Sequence, residues 1–156
     1  MIKIVSGGQT GVDRGALDAA IKANIECGGW CPEGRKAEDG VISPKYPLTE
    51  LKGASYLQRT LQNVIDSDGT LIIYFGYLSG GTEKTLDFCI KNKKPYKLID
   101  AQVISEKIAS TIILSFVKDK NISILNVAGP RASSNPNRHA FTKDALYQYL
   151  DFISSI

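Results

Sequence analysis

Thr70-Leu71-Ile72-Ile73-Tyr74-Phe75-Gly76-Tyr77-Leu78-Ser79-Gly80-Gly81-Thr82 is the stretch on which the fold turns. Thr70 to Phe75 is an almost unbroken β-branched, aliphatic and aromatic run, the pattern of a strand covered on both faces in a parallel sheet. Ser79 to Thr82 then offers bare backbone amides and two hydroxyls just before a helical pattern, Thr82 to Asn92, whose Leu86, Cys89 and Ile90 are expected inward. A buried strand that stops at a tight turn and hands over to a helix places unpaired N–H groups and the positive end of the helix dipole at one point.

The same arrangement occurs on either side of this stretch. Ile4-Val5 leads into Ser6-Gly7-Gly8-Gln9-Thr10-Gly11, and Ile124-Leu125-Asn126-Val127 leads into Ala128-Gly129-Pro130-Arg131. Three such turns at one edge of a parallel sheet would make a pocket for an anion, phosphate above all.

The remaining elements follow from periodicity. Strands are expected at Ile2 to Val5, near Cys27, at Tyr96 to Ile99 and at Ile122 to Ala128. Helices are expected at about Val12 to Ala23, Tyr56 to Asp66, Val103 to Asp119 and Arg138 to Ser154. In the second of these Leu57, Leu61, Val64 and Ile65 form the expected buried stripe, with Arg59 and Asn63 together on another face. Ile104, Ile108, Ala109, Ile112, Ile113, Phe116 and Val117 give the cleanest helical stripe in the chain. Glu26 to Ser55 is a long, weakly periodic, glycine- and proline-punctuated stretch, expected to supply one short strand and a wall of the site. Gly129 to Asn137 reads as a turn. The alternation predicts an α/β fold, a Rossmann-like three-layer sandwich with a mostly parallel central sheet and right-handed crossovers, as a single domain over residues 1–156.

Composition narrows the function classes. No stretch reaches the roughly 18 apolar residues of a membrane span, and the chain enters a strand directly after Met1, so a cytoplasmic protein without membrane association is expected. A net charge of +3, with Lys and Arg scattered, argues against a nucleic-acid partner. Cys27, Cys31 and Cys89 are an odd set expected to stay as reduced thiols, and with His139 the sole histidine no metal site is expected.

The first loop lacks both the G-x-G-x-x-G spacing of a dinucleotide fingerprint and the G-K-[ST] of a P-loop. Its glycines still permit close approach of a ligand, and Thr10 and Asp13 are placed to cap the next helix, so a structural turn and a ligand loop stay equally open. Ser79-Gly80-Gly81-Thr82 favours oxyanion binding over a plain helix cap, because ligand crevices open at the strand ends of such sheets. Asn126, Arg131 and Ser133 border the third loop. Arg131 is either a bidentate phosphate clamp or a solvated surface residue. Arg59 is either a phosphate ligand or an outer residue paired with a carboxylate such as Glu83. Asp13, Arg14 and Asp18 read first as helix-capping and solubilising charges.

Taken in order, Ser6-Gly7-Gly8-Gln9-Thr10-Gly11-Val12-Asp13-Arg14-Gly15-Ala16, Gly29-Trp30-Cys31-Pro32-Glu33-Gly34-Arg35-Lys36-Ala37-Glu38-Asp39-Gly40, Tyr46-Pro47-Leu48, Arg59-Thr60, Asn63-Val64, Ser67-Asp68-Gly69-Thr70, Ser79-Gly80-Gly81-Thr82 and Asn126-Val127-Ala128-Gly129-Pro130-Arg131 resemble the family named "putative molybdenum carrier". That family resembles a permuted branch of the Rossmann-like nucleotide-ligand-binding superfamily that includes the cytokinin-activating phosphoribohydrolases. The resemblance implies a site at the strand ends, with molybdenum cofactor or a nucleotide as the ligand, and self-association into a homo-oligomer. It also gives two departures. The hydrolase branch pairs an Arg before the central strand with a Glu in a Gly-Gly-x-Gly-Thr-x-Glu turn; Arg59 matches the former, but the Glu position falls on Lys84, with Glu83 one residue early. Ala132 stands where the carrier family would have Glu.

Three readings follow. The first is a binding protein for a phosphate-bearing nucleotide or molybdopterin-type ligand, with Gly7, Gly8, Gln9, Thr10, Gly11, Ser79, Gly80, Gly81, Thr82 and Asn126 at the ligand, Arg59 and Arg131 neutralising its charge, and Trp30 as a stacking wall. The second is a nucleotide N-glycosidic hydrolase using Arg59 with Glu83 or Asp13. The third is a non-catalytic interaction module.

Overall fold

The protein is described here from a computed structural model, covering residues 1–133 and 135–156. In chain order its elements are β1 (Lys3–Val5), α1 (Val12–Lys22), β2 (Cys27–Gly28), β3 (Trp30–Pro32), β4 (Lys36–Ala37), β5 (Gly40–Val41), β6 (Thr49–Leu51), α2 (Tyr56–Ile65), β7 (Gly69–Tyr74), α3 (Gly80–Lys91), β8 (Tyr96–Asp100), α4 (Glu106–Asp119), β9 (Ile124–Ala128) and α5 (Asn137–Ser154). Five strands form one sheet in the order β2-β1-β9-β7-β8, and every neighbouring pair is parallel. The predicted α/β sandwich is therefore the observed fold. Of the turn expected over Gly129 to Asn137, Ser134 lies outside the described residues.

Strand side chains alternate between the two faces of the sheet. Ile4, Leu71, Ile73, Leu125 and Val127 face one layer, where they share a core with Ala16 and Ala20 of α1, Ala109, Ile113 and Phe116 of α4, and Phe141, Leu146 and Leu150 of α5. Thr70, Ile72 and Asn126 point the other way, toward the layer of α2 and α3, where the Cys89 thiol reaches Thr70. β9 occupies the middle of the sheet, paired with β1 on one side and β7 on the other.

The outer helices correct the expected stripes. Leu57 is 47 % exposed, Ile65 40 % and Ile90 55 %, while Thr60 and Asn63 are buried. Val64 is buried and Leu61 half-buried as expected on α2, but Thr60 and Asn63 rather than Leu57 and Ile65 complete its inward face. Asn63 turns inward because its amide pairs with the backbone of Trp30 in both directions, Oδ1 accepting from Trp30 N at 2.8 Å and Nδ2 donating to Trp30 O at 3.0 Å. Such a two-bond match satisfies an edge strand that has no other partner there. In α4 Ile108 also stands in solvent, and the helix begins at Glu106 because the Ser105 hydroxyl caps Ile108 N, leaving Val103 outside.

The weakly periodic stretch after Glu26 holds four short strands beyond the one expected near Cys27. β3 pairs parallel with β6, and β4 with β5 as a hairpin. Arg35 holds this excursion together: Nε donates to Ile42 O at 3.1 Å, Nη1 to Leu48 O at 3.2 Å, and Nη2 to Ser43 O and Tyr46 O, both at 2.9 Å. A guanidinium is rich in donors and has no acceptor, so one side chain replaces the ladder that these carbonyls lack. Beneath it Leu17, Cys31, Ile42 and Tyr46 form a second small core. No helix among the described residues is long and apolar enough to cross a membrane.

Candidate functional site

The C-terminal ends of β1, β7 and β9 open on one edge of the sheet, and the N-terminus of α2 leans over them. Between them is a cleft of about 270 Å³. Gln9 and Asp13 line it from the first loop, Ser79, Gly81 and Thr82 from the second, and Gly129, Pro130 and Arg131 from the third; Tyr56, Arg59 and Thr60 close it from α2. The three turns therefore meet at a single place.

Arg59 is the pivotal side chain. Its side chain is 11 % exposed, and Nη1 lies 3.6 Å from Oδ2 of Asp13, itself buried. Nε is sealed from solvent and has no partner. A charged donor in that position is costly unless an acceptor arrives. Burial pushes the Asp13 carboxyl above the ordinary Asp range; Arg59, the Gln9 N–H, Ser6 and Arg14 oppose that shift without cancelling it. Gln9 N donates to Asp13 Oδ2 at 3.3 Å.

Next to Arg59 is the N-terminus of α3. Its N-cap, Ser79, makes no side-chain cap bond, so the first amides of the helix face the cleft without a protein acceptor from that residue. Thr82 is buried in the wall, and Thr85 Oγ1 donates to Gly81 O at 2.9 Å. On the opposite rim the Arg131 guanidinium stacks on the Tyr56 ring with Cζ 4.7 Å from the centroid, which holds a cation over the opening.

The hairpin β4–β5 ties two of the loops together. The Glu38 carboxylate accepts from the Thr10 hydroxyl and, at 2.9 Å, from Ser133 N, while Thr10 Oγ1 accepts from Ala132 N at 3.1 Å. These bonds, the Thr10 hydroxyl first, lower the Glu38 pKa below the usual Glu range. Gln9 adds a second tie, Nε2 donating to Lys36 O at 3.1 Å and Oε1 accepting from Glu38 N at 3.3 Å.

A family assignment can now be set against this geometry. Residues 4–150 match the circularly permutated YpsA SLOG family. The chain belongs to this family. A crystal structure at 1.45 Å of a "Putative molybdenum carrier protein" from Syntrophus aciditrophicus SB is 48 % identical, with a TM-score of 0.92, over 96 % of this chain and 95 % of that one. No curated protein matches.

Within that family fold, the expected site residues divide into two sets. Gln9, Arg59, Ser79, Gly81, Thr82, Arg131 and Asp13 share the cleft. Gly7, Gly8, Thr10, Gly11, Gly80, Asn126 and Glu83 are not among the residues lining it. Gly7 backs the Arg59 guanidinium, and Gly11 packs against Pro130 and Ala132. Asn126 donates to Thr70 Oγ1 at 3.2 Å inside the α2–α3 layer. Trp30 lines a different cavity, beside Asn63 and Asp66, and its indole N–H donates to Asp66 Oδ2 at 2.8 Å.

Three charge assignments change as well. Arg59 pairs with Asp13 rather than Glu83. The N-cap of α1 is Gly11, with no side-chain cap bond. Arg14 holds Asp39, with Nη1 2.5 Å from Oδ2, and Asp18 accepts from Tyr46 Oη and meets His139 Nε2, both at 2.7 Å. These two are structural ties between α1 and its neighbours rather than solvated charges.

Sequence reasoning missed Tyr56, Thr60 and Thr85, which also line the cleft. Tyr56 stands three residues before Arg59 on the same helix, and that spacing was the available signal.

Proposed function

We propose that the protein is a cytoplasmic binding protein for a small ligand bearing a phosphate, a nucleotide or a molybdopterin-type cofactor. The single observation that carries this reading is the sealed, unpartnered Arg59 Nε beside the uncapped N-terminus of α3. Those groups fit a phosphoryl oxygen: a planar cation supplies directed donors and the helix supplies amides. Arg131, stacked on Tyr56, adds a second positive charge at the rim. At about 270 Å³ the cleft is at the lower end for ligand sites, room for the phosphate and part of a ring. The related "Putative molybdenum carrier protein" supports a molybdenum-bearing ligand; were that ligand the pterin cofactor, these residues would hold its phosphate.

Calorimetry with nucleoside monophosphates, pterin cofactor and molybdate tests the reading. Saturable binding that Arg59→Ala and Gly81→Val abolish is the expected result. Binding left intact by both changes places the ligand elsewhere.

Asp13 supports a second reading, a nucleotide N-glycosidic hydrolase, because a buried carboxyl whose pKa is raised by desolvation beside an arginine is a general-acid candidate. Free base released from a nucleoside monophosphate, and lost in Asp13→Asn, would establish it; no release retires it. A homo-oligomer is also proposed, one that covers exposed apolar side chains of the α2 and α3 layer such as Ile65 and Ile90. Light scattering that gives a dimer in the native chain and a monomer in Ile65→Glu is the expected outcome.

A further inference from the structure

We propose that the site takes two linked phosphoryl groups, with Arg138 as the residue that receives the second; the inference rests on the anion-binding reading above. Arg138 is in the first turn of α5. Its Nη1 donates to Arg131 O at 2.8 Å and its Cζ lies 5.9 Å above the Phe75 ring, yet its Nε is sealed from solvent without a partner. Arg59 and Arg138 are the two side chains with such an orphaned buried atom among the described residues.

The space beside Arg138 explains what could occupy it. A cavity of about 40 Å³ is walled there by Tyr74, Phe75, Ser79, Thr82 and Pro130. Ser79, Thr82 and Pro130 also wall the main cleft, so the two spaces are neighbours separated by these three residues at the N-terminus of α3. A single water needs roughly 10–15 Å³ on this measure, so the annex holds a few waters or one phosphoryl group and excludes a base or pterin ring. The arrangement is therefore an arginine, a helix N-terminus and a second arginine around two adjoining spaces. A diphosphate suits it: one phosphoryl group lies between Arg59 and the α3 amides, and the other reaches across Ser79 and Thr82 to Arg138. A purely structural Arg138 would account for the bond to Arg131 O and the stacking on Phe75, but not for the unpartnered Nε or for the cavity that its side chain lines.

Titration calorimetry with adenosine mono- and diphosphate on the native chain, Arg138→Met and Arg138→Lys tests the proposal. The native chain is expected to bind the diphosphate on the order of tenfold more tightly, the gain of one additional charge-assisted contact. Arg138→Met is expected to bring that ratio to about one, and Arg138→Lys, which keeps the charge but loses the planar fork, to lower it at least about threefold. Equal affinities in the native chain, or a ratio that survives in Arg138→Met, overturn the assignment while leaving the monophosphate site standing. If neither nucleotide nor inorganic pyrophosphate binds, the anion site itself is wrong. The native-chain ratio requires no variant, so the proposal can fail even if a substitution prevents folding.

Discussion

The loop after β1 and the loop before α3 have nearly the same composition and opposite surroundings. Around Ser6 to Gly11 the protein itself fills the space: a Cβ on Gly7 would collide with the Arg59 guanidinium, and one on Gly11 would lie 2.5 Å from both Pro130 O and Ala132 N. Around Gly80 and Gly81 nothing lies within 4 Å. The first loop uses glycine to let protein approach protein, and the second keeps a backbone bare toward a cleft. Glycine content alone is thus the same signal for a packing joint and for a ligand loop; what separates them is whether neighbouring atoms already occupy the missing side chain's place.

The comparison can be broken first at Gly11, which has φ +82° as well as the close contact. Gly11→Ala is expected to lower stability by about 3 kcal/mol, strain and overpacking together, as measured by urea denaturation. A loss under about 1 kcal/mol would mean that the first loop has slack, and the contrast would fail.

Arg59 joins the two regions, and its removal should cost about 2 kcal/mol near neutral pH by leaving Asp13 buried without its cation. The sign with pH is specific. The folded pKa of Asp13 is raised above its unfolded value, so the native state keeps a proton that the unfolded chain releases, and stability falls as pH rises from the unfolded value through the folded one. In Arg59→Met the principal opposing charge is gone and that fall should steepen. Thermal melts between pH 4 and 8 that run parallel for both proteins would show that the pair is not coupled.

At the open loop the expectation reverses. Gly81→Ala should leave stability unchanged or raise it by up to about 1 kcal/mol, since alanine favours the helix, while lowering nucleotide affinity at least about tenfold. Melting and calorimetry on one preparation read both. An affinity unchanged by the extra methyl would remove this loop from the site.

Glu38→Gln gives the smallest effect, because the carboxylate is exposed: a few-fold loss of ligand affinity as the tie between Thr10 and Ser133 loosens. The folded pKa of Glu38 is lowered, so its contribution is complete above the unfolded Glu value and disappears as pH falls through the folded one. Affinity of the native chain should drop over that acid range, and that of Glu38→Gln should stay flat by comparison.

The fold was legible because strand and helix periods are local. Thr70 to Phe75 reads as a buried strand wherever it stands, whereas its position beside β9, the second strand to follow it in the chain, is set by tertiary packing that no local period carries. Phase was harder. The apolar count on α2 pointed Leu57 and Ile65 inward, whereas the deciding interaction was Asn63 with the Trp30 backbone, a partner 33 residues away. The cleft was legible to the extent that its parts were turns. Trp30 seemed a natural stacking wall by residue type, but its strand carries it to Asp66 near the far end of α2. Arg138 was invisible for the complementary reason: an arginine in a first helical turn is ordinary, and only its unpartnered Nε and the small cavity that its side chain lines set it apart.

The position of β9 bears on how the chain assembles during synthesis. Until Ile124 to Ala128 leaves the ribosome, the central sheet has only β1 with β2 and β7 with β8, two separate parallel pairs and no bridge between them. Two-stranded pieces are marginal in water. β9 is therefore the keystone of the sheet, and the cleft, which needs the loop that follows β9, can come into being only after Ala128 and that loop have been translated.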